Sequence, residues 1–228
     1  MSSHNTLPRY VQISEMLIRE IASGRLMEGE RLPPEREMAG RMGIAVGTLR
    51  RALAVLTEKG LLERIHGSGN YIRHQADADS VYALFRLELP QGGGLPTANV
   101  LSVDRLPKPA AQPAYGTSRE GHRIRRLRFL NHRPIAVEEI WLDGDRAAII
   151  ARRDLSDSLY HFYKTVLGLW ITRAEDRVGM DILPGWTPPE LGRPGAAAGH
   201  VERISWAQDG SSAEFSRTWF HAERARYV

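Results

Sequence analysis

The sequence predicts an α+β protein in two parts, a small helical domain closed by a hairpin and a larger domain built on an antiparallel sheet. Three observations predict it. Apolar residues recur at spacings of three and four as far as residue 59, the period of helices buried along one side. A polar stretch, "RHQADADS" (73–80), then interrupts the chain. Beyond it, extended segments broken by turn residues dominate, with one helical stretch and no regular strand–helix alternation.

Tyr10, Ile13, Leu17 and Ile21 form the stripe of a first helix over 10–23, with Gly24 as its stop. "LMEGERLPPER" (26–36) reads as a connection. Pro33-Pro34 opens a short second helix whose first turn carries Glu35 and Glu37, where the helix dipole favours acids. Met38, Ala39 and Met42 are its buried side, and Gly43 ends it. A third helix covers 46–59. Leu49, Leu53 and Leu56 make one stripe, with Gly47, Arg50, Arg51 and Ala54 on or near the opposite face. Gly60 is its C-terminal stop. "LLERIHGSGNYI" (61–72) follows, two apolar runs around His66-Gly67-Ser68-Gly69, the pattern of a β-hairpin. Helix, short helix, tight turn, helix, hairpin is the order of a winged helix-turn-helix, assigned to 7–74.

Residues 75–80 read as a linker and 81–228 as the second domain. Val100 to Leu106 is a strand, and "HRIRRLRFLNHRPIAVEEIWLD" (122–143) a hairpin turning at Asn131-His132-Arg133-Pro134. Ser158 to Leu167 is a helix starting near Asp157, and "WITRAEDRVGMDIL" (170–183) is extended. "HVERISWAQDGSSAEFSRTWF" (200–220) is a second hairpin with Asp209-Gly210 at its turn.

Composition narrows the function classes. The chain has 228 residues, 42% hydrophobic and 25% charged, which is ordinary for a globular protein. Cysteine is absent, so a disulfide framework and a thiolate zinc site are both excluded. The eight histidines show no metal-ligand spacing, and no metal or cofactor is expected. No leader pattern stands at the N-terminus and no apolar run approaches the roughly 18 residues of a membrane span, so a cytoplasmic location is expected. Net charge is +4, of which +3 falls in residues 1–74 (11 Lys+Arg against 8 Asp+Glu), a distribution that suits nucleic acid.

Within that basic third, six motifs stand in register: "YVQI" (10–13), "IASG" (21–24), "GERLPPER" (29–36), "TLRRALAVL" (48–56), "GL" (60–61) and "GSG" (67–69). Residues 9–72 thereby resemble the winged-helix domain of GntR-type bacterial transcription regulators. The resemblance implies double-stranded DNA as partner, with the start of the third helix entering the major groove. Arg36, Thr48, Arg50 and Arg51 are then candidates for phosphate or base-edge contacts, and Arg64, His66, Gly67 and Gly69 for contacts from the wing. Each arginine could equally be a solvated or ion-paired surface group. The chain departs from the family pattern at Ala45 and Val46, where a serine and an arginine are usual. Ala45 removes a capping hydroxyl, a typical loss of about 1 kcal/mol. Val46 donates no hydrogen bond, although its methyl groups suit a thymine methyl.

In the second part, "IRRLRFLNHRPIAVEEIWL" (124–142), "DLSDSLYHFYKTVLGLWITRAEDRV" (154–178), "DGSSAEFSRTWF" (209–220) and "RARY" (224–227) resemble the UTRA effector-binding domain of the HutC-like branch, whose fold is similar to chorismate lyase. The resemblance implies a pocket lined by Arg126, Arg128, Glu138, Ser158, Tyr160, Glu214 and Phe220. Arginines two apart on a strand share a face, so Arg126 and Arg128 could fork onto one anion. They could instead pair with Glu138 and Glu139 across the hairpin. Phe220 stands where sugar-phosphate-binding relatives often have tyrosine. The expected protein is a homodimeric transcription regulator of repressor type, not an enzyme, that binds a palindromic operator and responds to a small anionic metabolite. Chorismate-lyase-like catalysis in the second domain and a ligand-independent dimeric DNA binder are the alternatives.

Overall fold

The computed structural model describes residues 7–22, 24–73, 84–155 and 157–228. The predicted linker, 75–80, lies outside the described residues. The chain folds as two compact units, one spanning Leu7–Phe85 and the other Arg86–Val228. No described helix is long and apolar enough to cross a membrane.

In the first unit α1 (Arg9–Ala22), α2 (Glu35–Arg41) and α3 (Val46–Glu58) precede a hairpin of β1 (Leu62–Ile65) and β2 (Gly69–Ile72). The helical stripes meet as read: Ile13, Leu17 and Ile21 pack with Met38, Ala39, Leu49, Leu53 and Leu56, and Leu61, Leu62 and Ile72 close the base. Gly43, at φ +62°, makes the turn between α2 and α3, and the amide of Ile44 returns to the Ala39 carbonyl at 3.0 Å. Residues 29–32 are not merely a connection, because they pair along the hairpin: Leu32 N donates to Asn70 O and Ile72 N to Glu30 O, both at 2.9 Å. The wing is thus fixed to the segment that leads into α2.

The second unit is a six-stranded antiparallel sheet of two meanders. β4 (Pro96–Pro107), β5 (Glu120–Leu130) and β6 (Arg133–Asp143) form one, and β7 (Ile171–Ile182), β8 (Ala197–Ala207) and β9 (Ser212–Phe220) the other. They join where β9 returns to pair with β6. The β5–β6 turn is tighter than read, with only Asn131 and His132 between the strands, both at positive φ as a two-residue primed turn requires. The crossover carries α4 (Leu159–Phe162), which continues into a π-helical turn over Tyr163–Leu167. A short pair, β3 (Leu87–Glu88) with β10 (Arg226–Tyr227), ties the two ends of the unit together.

Alternation divides the sheet. On one face Ile124, Ile140 and Leu142 pack under Leu159, Phe162 and Tyr163 of the crossover. The same face carries Arg126, Arg128, Glu138 and Glu214. On the other, Leu127, Val137 and Trp219 pack with Leu183, Leu191 and Trp186. Phe220 is buried and faces Gly199 across the β8–β9 ladder; a Cβ at Gly199 would run into its ring. Gly199→Ala is therefore expected to cost about 1–3 kcal/mol of unfolding free energy in a denaturant titration. Gly199→Ala combined with Phe220→Leu should recover part of that loss, whereas an unrecovered loss would place the strain elsewhere.

Candidate nucleic-acid interface and ligand site

The first unit brings most of the predicted DNA-reading residues to one side. Arg36, Arg64, His66, Gly67 and Gly69 line a cleft of about 470 Å³ between the start of α2 and the wing. An adjoining cleft of about 350 Å³ is lined by Arg50 and Ala54 of α3, and it shares Glu35, Arg64 and Asn70 with the first. Gly67, at φ +74°, turns the wing tip, a conformation open to glycine with little strain. Thr48 and Arg51 are not in these clefts. Thr48 is half-buried on the first turn of α3 and Arg51 is exposed one residue beyond Arg50, about 100° around the helix.

Two side chains that sequence reading passed over belong to this surface. Glu35 holds Arg50 through an Nε–Oε2 pair of 2.6 Å, so the candidate base reader is pre-oriented from α2. Arg31 lies along the wing, its Nε 2.9 Å from where a Cβ on Gly69 would stand. A glycine there is what admits the guanidinium. Both pairings join residues brought together by the turn and the 29–32 pairing, so no local sequence period marks them.

The family departure also has a structural form. Ala45 occupies the N-cap of α3 with no side-chain hydrogen bond, and the helix starts instead on the Thr48 N to Ala45 O bond of 3.0 Å. Val46 is half-buried against the core beside Ile44. Val46→Arg is expected to change which duplexes are enriched from a random pool, because a good bidentate base contact discriminates by about 1–3 kcal/mol. An unchanged pool would show that position 46 does not read bases.

In the second unit five of the seven predicted ligand residues share one polar cluster on the helix-covered face. Arg126 and Arg128 are buried and aimed at the same carboxylate: Arg126 Nη2 is 2.7 Å and Arg128 Nε 3.8 Å from Glu138. Both also donate to the Asp157 carbonyl, at 3.4 and 2.9 Å. Burial pushes the Glu138 carboxyl up, but the charges of Arg126 and Arg128 and the Arg126 hydrogen bond outweigh it and hold it below its ordinary value. Glu139 pairs with Arg125 instead, on the opposite face. The cross-hairpin pairing is thus present, and it converges on Glu138. Arg126 Nε and Asp157 Oδ2 are buried with no hydrogen-bond partner among the described residues.

Glu214 lies in the next part of the cluster. It accepts from Tyr163 Oη at 2.7 Å and from Tyr160 Oη and Ser205 Oγ at 3.2 Å each. Burial raises its carboxyl above the ordinary value despite those three hydroxyls and the charge of Arg203. Ser158 sits at the start of α4, where its Oγ accepts from His161 N at 3.2 Å and caps the helix. Phe220 packs over Gly199 of β8 rather than taking part in these polar contacts. Tyr163, Arg203 and Asp176 were missed. Their positions on the π-helical turn after α4, on β8 and on β7 follow from a strand order that joins distant segments, and only the matching parity of Arg203 and Ser205 along β8 could have pointed to them.

Comparison with known proteins agrees with this division. Residues 9–72 match the gntR family of bacterial regulatory proteins and residues 91–226 match the UTRA domain. The chain is 58% identical to the HTH-type transcriptional regulator SmoD of Agrobacterium fabrum, over 98% of this chain and 96% of that one. It is 26% identical to the HTH-type transcriptional repressor NagR of Bacillus subtilis over 100% and 96% of the two chains. It is also 26% identical to the mannosyl-D-glycerate transport/metabolism system repressor MngR of Escherichia coli, over 97% and 95%. The fold resembles the crystal structure of the possible transcriptional regulator YydK of Bacillus subtilis, with a TM-score of 0.53, 17% identity and coverage of 97% and 98%. A helix-turn-helix unit closed by a wing hairpin and followed by a UTRA domain makes this chain a member of the GntR family of DNA-binding transcription regulators, in the branch that carries a UTRA domain.

Proposed function

We propose that the protein is a cytoplasmic repressor that binds a palindromic operator as a homodimer and changes its operator affinity when a small anionic metabolite binds in the UTRA domain. The observation that carries the reading is the buried convergence of Arg126 and Arg128 on one carboxylate, with Arg126 Nε left for a further acceptor. Two arginines on one strand face supply the forked donors an anion needs. Glu214 and its tyrosines supply the hydroxyl and carboxyl groups that would bind a polar body. Two of the relatives are named as repressors, one of them of a mannosyl-D-glycerate system, which supports repression and a carbohydrate-derived effector.

The dimer reading is supported by the two sheet edges, which differ. β4 is covered by the crossover: Asp157 Oδ1 accepts from Ala98 N, and Arg152 donates to the Val100 carbonyl. β7 has no strand on its outer side among the described residues, and it exposes Val178, Met180 and Ile182 on a single face. A long, apolar edge is a surface that natural proteins cover. A second copy supplies that cover and sets two winged domains to meet two half-sites.

The ligand acts by linkage: it shifts operator affinity only as far as it favours one dimer geometry over the other. Thermal unfolding of the full chain against a panel of small anions tests this. At 100-fold over its Kd, the true class should stabilise by about 2.7 kcal/mol. Arg126→Ala and Arg128→Ala should abolish the effect. Tightest binding by a neutral compound, or anion binding indifferent to both substitutions, would refute the assignment.

A further inference from the structure

Arg203 joins the ligand cluster to the end of the chain. From β8, opposite Ser216, it forks onto Asp176 of β7, with Nε–Oδ1 and Nη2–Oδ2 distances both 2.6 Å. Asp176 also accepts the hydroxyl of Tyr227, which lies in β10. On its other side Arg203 hydrogen-bonds the Tyr160 hydroxyl, itself a donor to Glu214, and its charge acts on Glu138. A continuous polar chain therefore runs Glu214–Tyr160–Arg203–Asp176–Tyr227. It ends on the β3–β10 pair, which the Val228 N to Arg86 O bond of 2.9 Å extends. Arg86 is the first residue after the boundary between the two units.

We propose that Arg203 is the switch of the ligand site: an anion seated beside Arg126 draws its guanidinium away from Asp176, loosens the Tyr227 anchor and frees the β3–β10 pair where the chain leaves the DNA-binding unit. The inference rests on the anion reading of Arg126 and Arg128. Its physical basis is competition for one planar donor. The guanidinium presents five N–H groups in a fixed fork and can satisfy a bidentate acceptor on one side at a time. Asp176 depends on it: burial pushes the carboxyl up, and the Arg203 fork followed by the Tyr227 hydroxyl holds it below its ordinary value. A bistable pairing of this kind is the element a ligand must bias for a distant effect.

Hydrogen–deuterium exchange on the full chain tests it, with inorganic phosphate as probe and peptides covering 84–89 and 221–228 as readout. Phosphate should speed exchange in both peptides about tenfold, the scale of one charged hydrogen bond. Tyr227→Phe, and Arg203→Lys, which keeps the charge without the fork, should show the faster exchange already and respond little further. Arg126→Gln should not respond. If phosphate stabilises the wild type through Arg126 while exchange in both peptides stays constant, the switch is wrong and the anion site stands. Wild-type exchange rates in Tyr227→Phe also refute it. If phosphate does not bind at all, the anion site fails and the switch with it.

Discussion

Glu138→Gln is expected to lower the unfolding free energy of the UTRA domain by about 3 kcal/mol, near the lower end of what breaking a buried ion pair costs. The side chain is 11% exposed and receives Arg126 at 2.7 Å, so the substitution leaves a buried guanidinium without its carboxylate. Desolvation cannot be undone by rotation, because Arg126 is also held from the Asp157 carbonyl. The sign of the pH dependence follows. Glu138 is held below its ordinary 4.5, so its contribution is complete above that value and is lost as pH falls through the depressed range. The gap between wild type and variant should close at acid pH in chemical denaturation. Inorganic phosphate should stabilise the variant more than the wild type, since it restores negative charge to the pair. A loss under about 1 kcal/mol, or equal phosphate stabilisation, would mean that the pair is solvated and that the site is not built for an anion.

The second large effect concerns β7. The double substitution Val178→Asp and Met180→Asp places two carboxylates on the exposed apolar face of the edge strand. Both side chains are more than half exposed, at 54% and 70%, so the fold of the single chain should survive. In the proposed dimer the same positions are buried, where unpaired charges are strongly unfavourable. Sedimentation equilibrium should therefore show a monomer. Affinity for a palindromic duplex should fall at least about 100-fold, the usual gain from tethering two modules. Affinity for a single half-site should be unchanged. A variant that sediments as a dimer and binds the palindrome normally would move the interface away from β7.

What could be read in the sequence follows the range over which each cause acts. The helices of the first unit were legible because Leu49, Leu53 and Leu56 declare their buried stripe within one segment, and Gly43 and Gly60 mark its ends. The shared face of Arg126 and Arg128 was legible for the same reason, since strand alternation is local. The pairing of 29–32 with the wing was not, and neither was the Glu35–Arg50 pair, 15 residues apart. Arg203 and Asp176, 27 residues apart, meet only because β7 and β8 pair in one register. The exposed stripe on β7 was likewise hidden: Val178, Met180 and Ile182 alternate as any half-buried strand would, and only the strand order makes β7 an edge. Non-local pairing, rather than residue type, set that limit.

If α3 and the wing read DNA despite Ala45 and Val46, the enriched sequences and their salt dependence will show it. The measurement is selection of the full chain on random duplexes, followed by affinities for the enriched site and a scrambled one across salt concentrations. The expected result is a palindromic consensus, bound with a log–log salt slope of about −0.9 for each phosphate neutralised. Arg50→Ala should flatten the preference at one base position, and Arg64→Ala should weaken both duplexes alike. No enrichment over many rounds, or binding insensitive to salt and to both substitutions, would contradict it.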